Sequence, residues 1–319
     1  MISIFQKFES AGILGINRRI GEYILPNNPR EFYPLVDDKW KTAELTRQFH
    51  VPMPKHYGVI DTFGGIQKTK DLVKDHPGFV VKPANGGMGN GILVITSSET
   101  SEHGKILYQK SDGKFLQEKE LNHHISGILS GLYSLDGNSD TCILQERLEC
   151  HPFFQEISFR GIPDIRVIVY LGYPVMAMLR LPTKESGGRA NLHQGALGVG
   201  VNLSNGTLTH SVCNDKLIEI HPDTKQVLSG RVIPHWFSIL EMSSRCYDLS
   251  GLGYLGVDIV LDETRGPLLL EMNARPGLGI QIANRMGLVG RLKLVEKVQN
   301  SADGPKDRVH RILEEFKKN

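Results

Sequence analysis

Residues 255–273 read LGVDIVLDETRGPLLLEMN, two apolar runs around a short polar turn, a pattern that folds most simply as a β-hairpin within a core. Each run nevertheless carries polar groups where a core strand should have none: Asp258 in the first, Glu271 and Asn273 in the second. If pairing is symmetric about Thr264 and Arg265, Asp258 lies opposite Glu271, and period-2 alternation puts Asn273 on the face of Glu271. Two facing carboxylates repel, so they require a cation or a proton. Three oxygen donors on one rigid platform suit Mg²⁺, which combines carboxylates with water and substrate phosphates. The competing reading is a set of rim residues paired with Arg265, Arg275 or a lysine.

The chain has 319 residues, enough for two or three domains, and its net charge of +2 leaves no electrostatic footprint for nucleic acid. Cys142, Cys150, Cys213 and Cys246 form no CxxC pair or disulfide framework, which suits reduced thiols and a cytoplasmic protein. The absence of any stretch of 18 apolar residues argues against membrane insertion. Residues 1–37, with Pro26, Pro29 and Pro34, read as partly irregular. A helix is expected from near Asp38, with Ala43, Leu45 and Phe49 on its apolar face, and then a strand towards Ile60. Residues 105–116 alternate around Asp112–Gly113 as a hairpin, 118–132 read as a helix, and 141–148 as a buried strand. From 164 the chain is strand-rich, with a turn at Gly172–Tyr173, and Phe237, Leu240, Met242 and Cys246 have helical spacing. The C-terminal segment reads as a charged amphipathic helix or tail. Hairpins with interspersed helices indicate an α+β fold rather than a doubly wound sheet.

Three further stretches carry groups suited to anions. VVKPANGGMGNGI (80–92) is a strand, Lys82 and a loop holding Gly86, Gly87, Gly89 and Gly91. Ile92 or Val94 occupies the place of a dinucleotide fingerprint's third glycine, and Gly91 precedes Ile92 rather than Lys-Ser/Thr, so neither that motif nor a P-loop fits. A structural turn and an anion nest with Lys82 as a point charge both remain open. The strand ending in Gln145, Glu146, Arg147 and Glu149 can offer its edge to an adenine or simply end in solvent. The loop after Arg180, with Lys184, Arg189, Asn191 and His193, is a cluster of donors suited to charge developing on a transferring phosphoryl group. Arg166, on a core strand, requires an anion, either Asp164 or a ligand.

In this order these stretches resemble the ATP-grasp superfamily, and within it the ribosomal-protein glutamate ligase (RimK-like) branch and the sugar-transfer-associated or α-L-glutamate ligase-like group. GVDIVLDETRGPLLLEMNARPGL is similar to the family's GVDI…EVN.SPGL, DKWKT…VPMP to its DK..S/T…GIP.P, and VVKPANGGMGNGI to its glycine flap; the likeness runs from Asp38 to Leu288. It implies the ATP-grasp fold, two α+β subdomains clasping ATP under a glycine-loop lid, divided into a shortened N-terminal segment 1–60, a lid subdomain 61–149 and a large subdomain 150–319. By the same resemblance Lys39, Lys82 and the lid glycines contact ATP. Gln145, Glu146 and Arg147 border the adenine, and Asp164, with Glu149 as the alternative, reaches the ribose. Arg189 and Asn191 contact phosphate, with Lys184 and Arg166 beside the reacting groups, and Asp258, Glu271 and Asn273 hold two Mg²⁺ ions, Mn²⁺ being an alternative. The activity implied is an ATP-dependent carboxylate–amine ligase making an amide through an acyl-phosphate from small-molecule or peptide substrates. A nucleotide-binding scaffold and a phosphotransferase are the rivals.

Overall fold

The computed structural model describes residues 4–87, 89–101, 105–134 and 136–318. The chain divides into two compact units, one of residues 38–40 and 53–149, the other of 1–37, 41–52 and 150–319. Every strand pairing within them is antiparallel, and helices are interspersed, so the class is α+β.

The smaller unit holds β1 (His56–Ile60), β2 (Phe79–Pro83), β3 (Leu93–Thr100), β4 (Ile106–Lys110), β5 (Phe115–Gln117) and β6 (Cys142–Glu146). They form one sheet in the order β1-β6-β2-β3-β4-β5. The helix Glu118–Leu129 starts in a capping box, Gln117 and Glu120 satisfying each other's backbone N–H groups. Its Leu121, Ile125 and Ile128 have helical spacing and join Phe79, Val81 and Ile95 of the sheet in one core. Asp112–Gly113 turns β4 into β5 as expected, Gly113 taking φ 86°.

The larger unit holds β7 (Asp164–Tyr170), β8 (Tyr173–Leu181), β9 (Leu197–Val201), β10 (Leu208–Cys213), β11 (Lys216–Ile218), β12 (Tyr254–Asp262) and β13 (Gly266–Asn273), ordered β11-β10-β9-β8-β7-β12-β13. The helix Trp236–Ser250 packs against β7, β8, β12 and β13. On β7 the alternate residues Asp164, Arg166, Ile168 and Tyr170 share a face, so one face is polar at one end and apolar at the other. The apolar end joins a core with Leu14, Tyr23, Ile280 and Leu288. Gly198 and Gly200 let the helix Ile280–Asn284 lie close over β9; a Cβ on Gly200 would stand 2.5 Å from the Ala283 carbonyl oxygen.

Several sequence expectations shift. Residues 4–37 belong to the larger unit, where Pro26 lies in the first turn of Leu25–Asn27 and Pro34 opens Pro34–Asp37, positions that need no N–H, while Pro29 stands just before the short turn Arg30–Phe32. The helix Lys39–Gln48 buries Thr42, Ala43 and Thr46, whereas Phe49 is exposed, because the helix stops before it. The β7–β8 turn is Leu171–Gly172, one residue earlier than expected, since both residues take positive φ and Tyr173 already pairs with Tyr170. On the far helix the buried face is Trp236, Ile239, Leu240, Ser243 and Cys246, with Phe237 and Met242 at its margin. The C-terminal segment forms two helices, Val289–Val298 and Pro305–Lys318, the second docked by buried Arg308 on Asp248 and Ser244. All four cysteines are free thiols, and burial pushes Cys142 up to about 12.

Candidate functional site

In the larger unit the hairpin register puts Asp258 opposite Glu271, as read from the sequence, by a different route. The turn is one residue longer than a symmetric pairing about Thr264–Arg265, since Asp262 rather than Glu263 pairs with Gly266, and a β-bulge beyond Ile259–Leu269 restores the offset. β7 flanks the other side with Arg166 opposite Asp258, and Asp164 faces Arg180 of β8. Four adjacent strands therefore align Glu271, Asp258, Arg166, Asp164 and Arg180 on one face.

The cation that the paired carboxylates require is present within the chain. Arg166 donates through Nε and Nη2 to the two Asp258 oxygens at 2.7 and 2.6 Å, and Arg180 donates to Asp258 Oδ2 at 2.8 Å while also binding Asp164. Asn273 Nδ2 donates to Asp258 Oδ2 at 3.3 Å, which turns its amide oxygen away from Asp258. Burial pushes against ionisation of Asp258, but Arg166 and Arg180 together outweigh it and hold the carboxyl at about 2. Burial wins at Asp164, where the Arg180 guanidinium only partly offsets it and neighbouring Asp258 adds to the rise, to about 6.

Magnesium fits part of this row. Glu271 and the Asn273 amide oxygen are hard oxygen donors on one half-buried face. Asp258 has both oxygens taken by guanidinium groups, so it becomes a ligand only where an arginine gives way. Among the described residues no group of three or more His, Cys, Asp or Glu side chains is arranged to hold a metal.

The loop between β8 and β9 is pinned at its base. Thr183 N donates to Ser186 Oγ at 2.9 Å, Ser186 N to Thr183 Oγ1 at 3.0 Å, and Thr183 Oγ1 to the Gly195 carbonyl at 2.8 Å. Its tip presents exposed Lys184 and Arg189; the Arg189 backbone N–H donates to the Ser186 carbonyl at 3.2 Å and its side chain to Gln194 Oε1 at 3.5 Å. Asn191 accepts from His193 N at 3.0 Å, so it caps the short turn Leu192–Gln194, and His193 itself is exposed.

In the smaller unit the glycine loop is anchored at both ends. Asp140 accepts from Asn85 N and Asn85 Nδ2, the latter at 2.8 Å, and Lys39 Nζ donates to the Gly86 carbonyl at 2.6 Å. At the far end His124 Nε2 lies 2.9 Å from the Gly91 carbonyl oxygen and Tyr133 covers Gly91. Gly89 and Gly91 both take φ 75°, in the left-handed region that glycine enters without strain. Met88, inside the expected lid, lies outside the described residues. Lys82 is buried on β2 opposite Ile143 of β6, and next to Ile143 and Leu144 comes Gln145, whose buried Oε1 accepts no hydrogen bond from the described residues. Glu146 accepts from Lys55 N at 2.5 Å, and Arg147 pairs with exposed Glu149.

Asp140, His124 and Tyr133 escape the sequence reading because no spacing pattern marks them; the one signal is that Asp140 stands beside the strand that follows the loop in space. The His124 contact has a pH consequence. Burial lowers the imidazole below its usual value, so the neutral ring is favoured in the folded chain. The charged ring would still donate Nε2–H to the Gly91 carbonyl, so the cost is that of burial: the closed packing of His124 is fully favoured above about pH 6.5 and weakens as pH falls through the lowered value. Hydrogen exchange at residues 89–91, corrected for intrinsic rate, is expected to speed up between pH 7.5 and 5.5, and His124→Phe is expected to remove that dependence.

Comparison with known proteins follows the same lines. The family described as "Sugar-transfer associated ATP-grasp" matches residues 18–297. A probable alpha-L-glutamate ligase of Legionella pneumophila (strain Paris) is 24% identical over 269 residues, covering 83% of this chain and 64% of the relative. One from Maridesulfovibrio salexigens is 29% identical over 157 residues, 49% of this chain and 40% of its own. The chain thus spans less than two thirds of the length of the curated relatives it matches. Among solved structures, a Chryseobacterium gregarium RiPP-associated ATP-grasp ligase with ADP and a leader and core peptide aligns at TM-score 0.47 and 13% identity, over 89% of this chain and 65% of that one. The Bacillus anthracis D-alanine–D-alanine ligase with ATP aligns at 0.42 and 14%, over 88% and 65%.

Proposed function

The chain belongs to the sugar-transfer associated ATP-grasp family, and from that premise we propose that it is an ATP-dependent carboxylate–amine ligase. The observation that carries the reading is the row Arg180–Arg166–Asp258–Glu271–Asn273, a charged platform on one face of a buried sheet, beside a loop that presents Arg189 and Asn191. In the reaction a substrate carboxylate oxygen attacks the γ-phosphorus, the bond to the β–γ bridging oxygen breaks, and ADP leaves. The amine then attacks the acyl-phosphate carbonyl, the C–N bond forms, phosphate departs, and the amine loses its proton.

Each unit is assigned its own part. In the smaller unit Lys39, Lys82 and the N–H groups of Gly86, Gly87, Gly89 and Gly91 hold triphosphate oxygens, and the orphaned Gln145 Oε1 accepts from the adenine amine, with Glu146 and Arg147 flanking it. Exposed Glu149 suits the ribose hydroxyls better than Asp164, which is buried on Arg180. In the larger unit Arg189, Asn191 and Lys184 donate to the transferring phosphoryl group, and Arg166 and Arg180 fix the platform. Magnesium, held by Glu271 and Asn273 with Asp258 as the third ligand where an arginine gives way, supplies charge neutralisation on the phosphates. The resulting protein acts on a small-molecule or peptide acid and amine in the cytoplasm. No helix among the described residues is long and apolar enough to cross a membrane.

Purified protein with ATP, Mg²⁺ and pools of amines and acids is expected to release ADP only when both are present, with product mass reporting the amide. Glu271→Gln is expected to lower that rate by about 10²–10³-fold. The saturation of Asp258 by two arginines favours one rival, a nucleotide-binding scaffold. ATP binding at unit stoichiometry with no amine-dependent ADP release would establish that rival and remove the ligase.

A further inference from the structure

The larger unit contains a cavity of about 1300 Å³ lined by both charged and aliphatic side chains. Arg166, Arg180 and Asn191 line it, and so do aliphatic side chains from residues 11–16, β10, β11 and the helix Ile280–Asn284. Five of the chain's exposed large apolar residues converge here: Ile13, Ile16, Leu217, Ile282 and Met286, between 39% and 63% exposed. Scattered singly, such residues need no explanation, but gathered around one cavity they mark a binding surface.

The wall is built, not draped. Gln281, 7% exposed, accepts from Leu14 N at 2.9 Å and Leu288 N at 3.0 Å and donates to the Leu14 carbonyl at 3.1 Å. Val289 N donates to the Gly12 carbonyl at 3.0 Å, and a Cβ on Gly287 would stand 2.2 Å from that same oxygen. Residues 11–16 are thus fixed over the cavity before any ligand arrives, which lowers the ordering cost of binding.

The lining holds Arg166, Arg180 and Arg285 with one carboxylate, Asp215, and Arg166 and Arg180 also pair with Asp258 and Asp164. Arg166 spends Nε and Nη2 on Asp258, and among the described residues its Nη1 protons bond no other side chain, so they remain for an anion in the cavity. We propose that this cavity binds a carboxylic acid with an extended apolar body, its carboxylate at Arg166 and Arg180 and its body along Ile13, Ile16, Leu217 and Ile282. The proposal deepens the ligase reading, on which it rests, by naming the acid.

Isothermal titration of the whole chain without nucleotide tests this, with decanoate as probe and decanol, decyl phosphate and glutamate as controls. Decanoate is expected to bind once per chain, at least tenfold more tightly than any control. Ile16→Glu and Ile282→Glu, both at exposed positions, are expected to weaken decanoate at least tenfold with the melting temperature unchanged. Equal binding of decanol would leave only an apolar patch, and tighter binding of decyl phosphate would make it a phosphate site. Saturable self-association that abolishes decanoate binding would assign the face to a second copy; each of these, or no decanoate binding at all, overturns the proposal. Because nucleotide is absent, a chain that binds decanoate but never releases ADP refutes the ligase reading alone. A chain that releases ADP with amine and other acids but ignores decanoate refutes this one alone.

Discussion

Asp258→Asn is expected to cost about 3–5 kcal/mol of folding stability, a large share of what a domain holds in reserve. The side chain is 2% exposed and neutralises two guanidinium groups at once, Arg166 through both its oxygens and Arg180 through one. An amide in its place leaves two buried cations with Asp164 as the one carboxylate bonded to either among the described residues. Glu271→Gln should behave differently, since Glu271 is half-buried at the margin of the row and no arginine is bonded to it among the described residues. It is expected to melt near the wild-type temperature while losing turnover. Thermal or urea unfolding of the two variants therefore separates a structural carboxylate from a reactive one. An Asp258→Asn protein that melts with the wild type would show that the arginines find other partners and that the charged row is not a buried network. Arg180→Met with Asp164→Asn, which removes a cation and an anion together, should cost less than Asp258→Asn, because the charge left behind is balanced.

The same row explains what could and could not be read from residue order. The opposition of Asp258 and Glu271 follows from counting along two apolar strands, and it holds although the bulge and the longer turn are invisible in the sequence. In the sequence Arg166 needs an anion, with Asp164 or a ligand as the choices. The structure gives it Asp258 instead, because its register neighbour on β12 is Asp258 whereas that on β8 is Met178. Strand order is a long-range property, and no local pattern places β12 beside β7 with β13 at the sheet edge. Asp164 instead pairs with Arg180 on β8 and is buried there. The N-terminal segment was opaque for a related reason: prolines suggested irregular chain, whereas its contribution comes from a buried glutamine 267 residues away that holds Leu14 over the cavity.

The glycine loop was the reverse case, legible in composition and open in meaning. Its geometry narrows the meaning through one position. Gly91 takes φ 75°, and a Cβ there would stand 2.6 Å from the Tyr133 ring, so both backbone and packing exclude a side chain. Gly91→Val is expected to cost about 1–3 kcal/mol locally, from left-handed strain in a β-branched residue and from displacement of Tyr133. A plain structural turn would show that cost as a lower melting temperature with ATP affinity intact. A phosphate cradle would show it chiefly as weaker ATP binding, by about tenfold or more, because the N–H groups of residues 86–91 could no longer converge on an anion. Tyr133→Ala in the Gly91→Ala background divides the two causes, since it relieves the contact and leaves the φ strain. ATP affinity that recovers in the double variant assigns the loss to Tyr133. Affinity that stays low assigns it to the backbone conformation that Gly91 alone supplies, and unaltered affinity in all three proteins would remove the loop from nucleotide binding.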